Sequence, residues 1–142
     1  MEQVGNTGTF IIVVIIALIP LILFIRSIQS TLKLIAPYNR KIKPEYVWIT
    51  LIPLPIFTNI WSFILVTLVA NSVALEYKER AIPFQSKPTF IVGLLMSITS
   101  CLAYIPAFKK FTAIGWFVFF FIYWARISQC KRKLVELQES SI

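Results

Sequence analysis

The chain has 142 residues, of which 58% are hydrophobic and 14% are charged, and its formal net charge is +8. Soluble domains carry about one quarter charged residues, so this composition excludes a soluble protein and a disordered one. The sequence contains neither histidine nor aspartate, which excludes most metal sites and acid–base constellations. We therefore predict no enzymatic activity, no metal and no cofactor.

Four windows without charged residues approach or exceed the roughly 20 apolar residues of a transmembrane helix. They predict an all-α membrane protein with four transmembrane helices, called spans one to four, at about 9–25, 46–75, 89–108 and 111–126. We expect a single domain over residues 1–142, with helical extensions beyond spans one, two and four. The last extension is predicted as a helical tail at 127–139.

Span one is predicted as an uncleaved anchor, because no basic residue precedes it. Span two would be about 45 Å long as a straight helix, more than the ~30 Å hydrocarbon core. Pro53 and Pro55 each remove a backbone donor, so we predict that span two kinks or unwinds there. A re-entrant segment before Thr58 is the alternative. Asn59 and Ser62 are predicted polar contacts, either to another helix or to a solute in a cavity.

The tight Lys109–Lys110 connection predicts that spans three and four form an antiparallel helical hairpin. Small residues recur at four-residue spacing on one face of span three: Gly93, Ser97 and Cys101. Such a face lets another backbone approach closely. Its partner is either span four, through Gly115, or a different subunit.

Span four is rich in aromatic residues, and Phe117 and Phe121 belong to a run that covers several helix faces. Some of these rings must face lipid or another protein. We therefore include Phe117 and Phe121 in the predicted partner face.

The basic loop after span one contains Arg40, Lys41 and Lys43, which are predicted to attract anionic lipid head groups. Ordinary topology determination is the alternative role for this loop. Four spans would place seven of the 14 basic residues on each side, so the positive-inside rule leaves the orientation open. We predict 39–44 and Lys109–Lys110 on one side, with both termini and 76–87 on the other. A cytoplasmic location of both termini is favoured, and nucleic-acid binding is not expected.

One stretch carries a recurring set of residues: Asn39-Arg40, Pro44-Glu45-Tyr46-Val47-Trp48, Leu51-Ile52-Pro53, Asn59-Ile60-Trp61, and Glu76 to Arg80. It resembles a family of small four-span bacterial membrane proteins, found mainly in Bacteroidota, with the pattern NR…P..VW..LIP…N.W. The resemblance implies a four-span fold in the bacterial inner membrane. It gives no catalytic residue.

The first functional hypothesis is a non-catalytic accessory or scaffold subunit of a larger inner-membrane complex. Its partners would be other integral membrane proteins, with a homo-oligomer as one form of assembly. The alternative is a small oligomeric channel or passive carrier centred on Pro53–Asn59. A lipid-modifying enzyme is the third hypothesis, and its candidate acidic residues are Glu45, Glu76 and Glu79.

Overall fold

The computed structural model describes residues 2–84 and 87–141, and every regular element within them is helical. The α-helices are α1 (Glu2–Leu34), α2 (Pro55–Glu79), α3 (Phe90–Leu102) and α4 (Lys109–Ser140). Two 3₁₀ helices lie at Pro44–Leu51 and Pro106–Phe108. Within the described residues, three helical segments are long and apolar enough to cross a membrane, and α3 is a shorter apolar helix. The expected all-α architecture is confirmed for this part of the chain.

Span two is two elements rather than one kinked helix. Its first part belongs to the 3₁₀ helix Pro44–Leu51, and α2 begins only at Pro55. Ile52 and Leu54 both have extended backbone angles, because each precedes a proline whose ring disfavours the helical region. The predicted unwinding at Pro53–Pro55 is therefore confirmed, whereas a continuous helix over 46–75 is wrong.

The Pro44–Leu54 segment carries the chain back along α1 and α2. Near its start, the backbone N–H of Lys41 donates to Ser72 Oγ at 2.8 Å. Further along, Trp61 Nε1 donates to Thr50 Oγ1 at 3.2 Å, and the Thr58 hydroxyl donates to Ile52 O at 2.9 Å. The contacts thus move from the C-terminal part of α2 to its first turn as the segment advances.

Because the Pro44–Leu54 segment runs back along the bundle before α2 begins, α1 and α2 run in the same direction. Their C-terminal ends meet where the N–H of Ala36 donates to Glu76 Oε2 at 3.0 Å and Arg80 Nη2 donates to Leu34 O at 3.3 Å. The C-terminal end of α4 lies there too, since Lys33 and Leu34 line one cleft together with Leu137, Gln138 and Ser140. Helices α1, α2 and α4 are therefore parallel.

Helix α3 runs opposite to α2 and α4. Gly93 lies against both Val66 and Tyr123, whereas the C-terminal half of α3 reaches Gly115 near the start of α4 through Thr99. The predicted hairpin of spans three and four is thus present as α3 and α4. Helix α3 is shorter than span three, because the chain turns before Pro106. Helix α4 is continuous, so span four and the predicted tail are one helix.

This arrangement divides the bundle into two halves. We call the half that holds the C-terminal ends of α1, α2 and α4 the basic half, and the half that holds Lys109 and Lys110 the apolar half. Twelve of the 14 basic residues of the sequence lie in or at the border of the basic half: Arg26, Lys33, Arg40, Lys41, Lys43, Lys78, Arg80, Lys87, Arg126, Lys131, Arg132 and Lys133.

The even division of basic residues between two sides is therefore wrong, and so is the separation of 39–44 from 76–87. Both errors have one cause. Residues 46–75 were predicted as one membrane span. In the structure, residues 46–54 run toward the apolar end and α2 runs back from it. The chain consequently begins at the apolar end and finishes at the basic end.

The two halves also differ in packing. Most of the buried core lies in the basic half, where residues such as Ile28, Val73 and Ile127 are fully buried. The apolar half instead exposes large side chains, including Phe10 (68% exposed) and Phe111 (78%). Along α1, every residue from 7 to 19 is exposed. The apolar surface of this half is compatible with a membrane-embedded segment.

Replacing Gly93 by alanine tests the close packing of α2, α3 and α4. A Cβ on Gly93 would lie 2.5 Å from one Val66 methyl carbon and 2.9 Å from Tyr123 Cε2. Neither neighbour is the end of a flexible chain, so we expect Gly93→Ala to lower the free energy of unfolding by about 1–3 kcal/mol. Denaturant unfolding in a mild detergent measures the change.

Gly115→Ala is the matched control, because its added Cβ would meet only Thr99 Cγ2, at 3.4 Å. We expect this variant to be at least as stable as the native protein, because alanine is favoured over glycine by about 1 kcal/mol within a helix. Equal effects of the two alanines would contradict the described packing of α3.

Candidate functional site

The polar cluster around Glu76 joins the ends of α1 and α2. The Glu76 side chain is 2% exposed, and its carboxylate accepts hydrogen bonds from the backbone N–H of Ala36 at 3.0 Å and from Asn39 Nδ2 at 2.9 Å. Arg80 Nε donates to the other carboxylate oxygen at 2.7 Å. These groups include Asn39, Glu76 and Arg80 of the stretch that carries the family resemblance.

Burial raises the pKa of Glu76, but the hydrogen bonds from Asn39, Ala36 and Arg80 outweigh it, so the pKa lies below its ordinary value of 4.5. Glu76 is therefore a charged carboxylate at neutral pH. All its described partners are donors within the chain, which makes it a structural anchor. This placement does not favour Glu76 as the acidic residue of a lipid-modifying enzyme.

Arg40 also has a structural position. Its Nε donates to Ile35 O at 2.8 Å and its Nη2 donates to Lys33 O at 2.9 Å. A guanidinium that binds the last carbonyls of a helix caps that helix. Two of the five Arg40 N–H donors are thus used at the end of α1, whereas Lys41 and Lys43 have exposed side chains. Lipid contact by these two lysines stays a prediction.

The polar residues of span two face α3. Ser100 Oγ donates to Asn59 Oδ1 at 2.6 Å, and Asn59 Nδ2 donates to Tyr104 Oη at 2.9 Å. One turn further along α2, the hydroxyls of Ser62 and Ser97 are 2.7 Å apart. These groups bond to one another across the two helices. The structure thus places Asn59 and Ser62 in a helix–helix seam.

The sequence analysis missed Tyr104 as a partner of Asn59. Tyr104 follows the end of α3 and lies 45 positions from Asn59 along the chain. A helix-period pattern gives no signal for a contact made by a loop residue.

The small-residue face of α3 is occupied within the chain. Gly93 contacts Val66 and Tyr123, and Ser97 bonds Ser62 as described above. Gly115 lies beside Thr99 of α3. Of the two alternatives for this face, the structure supports packing within the chain, because α2 contacts both Gly93 and Ser97 and Tyr123 of α4 also contacts Gly93. A different subunit as the partner of this face stays a prediction. Cys101 is half-buried and its thiol is free.

The outer surface of α4 remains open. Phe117 is 57% exposed and Phe121 is 54% exposed, as expected for rings that face lipid or another protein. The neighbouring Ile114 and Val118 are exposed as well. These side chains of α4 and the exposed residues 7–19 of α1 are apolar surface that the described chain leaves uncovered.

Comparison with models of protein families, with curated proteins and with solved structures finds no match to this chain.

Replacing Glu76 by glutamine tests its role as an anchor. Hydrogen bonds to a charged group contribute about 1.5–3 kcal/mol each, so we expect Glu76→Gln to reduce stability at neutral pH by at least ~1.5 kcal/mol. Glu139→Gln, at an exposed position near the C-terminal end of α4, is the control and should leave stability unchanged.

The same pair of variants tests the pH dependence. Because folding lowers the pKa of Glu76 below 4.5, its contribution is present above the unfolded pKa and is lost as the pH falls through the folded pKa. We expect the native protein and Glu139→Gln to lose stability below about pH 4.5 more steeply than Glu76→Gln does. Identical acid profiles for all three proteins would contradict the anchoring role.

Proposed function

We propose that the chain is a multi-pass protein of the bacterial inner membrane and acts there as a non-catalytic accessory subunit. In this proposal the apolar half lies in the bilayer, the basic half lies in the cytoplasm, and α1 and α4 bind another integral membrane protein. The single observation that carries it is the separation of an exposed apolar half from a basic half within one bundle.

The lengths of the apolar stretches support the membrane placement. From Thr7 to Ile25, α1 has no charged residue and extends about 28 Å, close to the ~30 Å hydrocarbon core. Phe24 packs against Phe120 and Trp124 of α4, which runs in the same direction. Arg26 and Arg126 therefore lie at a similar height, where cationic side chains can reach the head groups.

The distribution of basic residues supports the orientation. With 12 of its 14 lysines and arginines in or bordering the basic half, the protein fits the positive-inside rule only when that half is cytoplasmic. The N-terminus is then outside and the C-terminus inside. This orientation differs from the prediction made from the sequence, which placed both termini on the same side of the membrane.

The exposed half of α1 supports the subunit hypothesis. Residues 10–19 are exposed on every face of the helix, whereas α3 packs on both α2 and α4 in the same half. Beside it stand the exposed rings of Phe117 and Phe121. Helices in lipid associate through close van der Waals packing, and this area offers a partner helix two adjoining surfaces. A channel is less favoured, because the polar groups between α2 and α3 bond to each other.

Cysteine labelling tests the topology. In a Cys101→Ala, Cys130→Ala background, single Lys41→Cys, Lys78→Cys and Lys110→Cys substitutions place a thiol at exposed positions. We expect a membrane-impermeant maleimide to label position 110 in intact cells, and positions 41 and 78 only after permeabilisation. Labelling of 41 and 78 from opposite sides would overturn the proposed topology.

Site-specific photocrosslinking in native membranes tests the subunit hypothesis. A photoreactive residue at Val13, in the exposed half of α1, should give a protein adduct of one discrete mass. The same residue at Ile60, an exposed position on α2, serves as the control and should give mainly lipid adducts. Lipid adducts alone at both positions would contradict a partner on α1 while leaving the topology intact.

A further inference from the structure

A cleft of about 470 Å³ lies where the end of α2, the start of α3 and the middle of α4 meet. Its polar lining is cationic, from Lys87, Arg126 and Lys133, with the Gln129 amide beside them. The inner wall includes Tyr77 and Cys130, both buried. The cleft is separate from the Glu76 cluster and from the α2–α3 seam.

The cations of this cleft have no acidic partner within the described chain. The lining residues include no carboxylate, and the ion pair among the described residues joins Arg80 to Glu76. Lys87 instead lies over the Phe90 ring, with its Nζ 5.5 Å from the ring centre. An anionic ligand would therefore meet three positive charges that no described side chain neutralises.

The inner wall carries an unused donor. The Tyr77 hydroxyl is buried and makes no well-aligned hydrogen bond within the described residues, although it faces the Cys130 thiol. Burial raises the pKa of Cys130, and the nearby Tyr77 hydroxyl and the charges of Lys133 and Arg126 offset part of that rise. The charges of Lys133 and Arg126 thus influence the Cys130 thiol on the inner wall, and both residues also line the cleft.

Two rows of exposed apolar side chains, one on α3 and one on α4, continue from the cleft into the apolar half, and we call the strip between them the apolar groove. On α3, Ile91 lines the cleft, and Leu95 and Ile98 follow it along the same exposed face. On α4, Ile122 and Val118 are exposed one and two turns beyond Arg126. Because α3 and α4 are antiparallel neighbours, these two rows of side chains lie along the same side of their seam.

We propose that this cleft binds the head group of an anionic phospholipid of the cytoplasmic leaflet. The phosphodiester lies between Lys87, Arg126 and Lys133, and one acyl chain follows the groove between α3 and α4. The adjoining apolar groove favours a lipid over free phosphate. The three unpaired cations favour an anionic over a zwitterionic head group. This inference rests on the proposed membrane placement.

Binding of short-chain lipids to the detergent-solubilised full chain tests the inference. The probes are dihexanoyl phosphatidylglycerol, dihexanoyl phosphatidylcholine and inorganic phosphate, measured by native mass spectrometry and calorimetry. Each basic residue near a head group contributes enough for roughly a fivefold change in affinity. We expect phosphatidylglycerol to bind at least about tenfold more tightly than either other probe.

Two charge-matched triple variants locate the site. Lys87→Gln, Arg126→Gln and Lys133→Gln together should weaken phosphatidylglycerol binding by about 10- to 100-fold. The control removes the same charge elsewhere in the basic half, through Lys33→Gln, Lys131→Gln and Arg132→Gln, and should change binding by less than about threefold. If the first triple variant does not fold, Arg126→Gln alone should still weaken binding about fivefold.

Three outcomes would overturn the inference. Equal losses in both triple variants would show a diffuse surface-charge effect, and equal binding of phosphate and phosphatidylglycerol would show a free-phosphate site. Absence of lipid selectivity in the native protein would exclude the site altogether. Carbonate extraction of membranes is the separate readout: a protein that resists extraction but shows no selectivity fails this inference alone, whereas an extracted protein fails the proposed function.

Discussion

The architecture depends on a backbone constraint at Pro53 and Pro55. The helical region is disfavoured for the residue before each proline; Ile52 and Leu54 are extended, and α2 begins at Pro55. The preceding 3₁₀ helix and this extended stretch together return the chain to the apolar end. The direction of α2, and with it the directions of α3 and α4, follow from that return.

A non-α-helical crossing in lipid requires that its backbone groups find partners. Leu54 N–H donates to Ile52 O at 2.9 Å, and Ile52 N–H donates to Ile49 O at 3.0 Å. The Thr58 hydroxyl, one turn into α2, lies within hydrogen-bond distance of both Ile52 O and Leu54 O and can donate its single hydrogen to either. It thus adds a donor beside two carbonyls that already accept backbone N–H groups. At the other end, the Glu76 cluster attaches the start of this crossing to α2, so both ends of the segment are fixed by polar contacts.

The sequence predicted the helices well and their order in space poorly. Uncharged windows and proline positions located α1, α4 and the break at Pro53–Pro55, because those signals are local. The 3₁₀ helix Pro44–Leu51 was missed, since its apolar residues continue those of α2 without a polar boundary. That one omission reversed the predicted side of residues 76–87 and concealed the concentration of basic residues at one end.

For the candidate sites, too, local features could be predicted from the sequence, whereas contacts between distant residues could not. Asn59 could be expected to bond another helix, because an amide in an apolar span needs a partner, but Tyr104 could not be identified from its spacing. Gly93 and Ser97 were recognisable as a packing face, whereas the identity of the helix on that face depends on the fold. The cleft at Lys87, Arg126 and Lys133 joins a loop residue to two helix residues that are 39 and 46 positions further along the chain, so composition alone gave no indication of it.

The C-terminal ends of α1 and α4 lie together at the basic end. A distance measurement by pulsed electron paramagnetic resonance tests this arrangement, with spin labels at Lys33 and Gln138, which are exposed and line one cleft. We expect a separation well below the ~30 Å thickness of the hydrocarbon core. A separation of about 30 Å or more would place the two helix ends on opposite sides of the membrane and contradict the parallel arrangement.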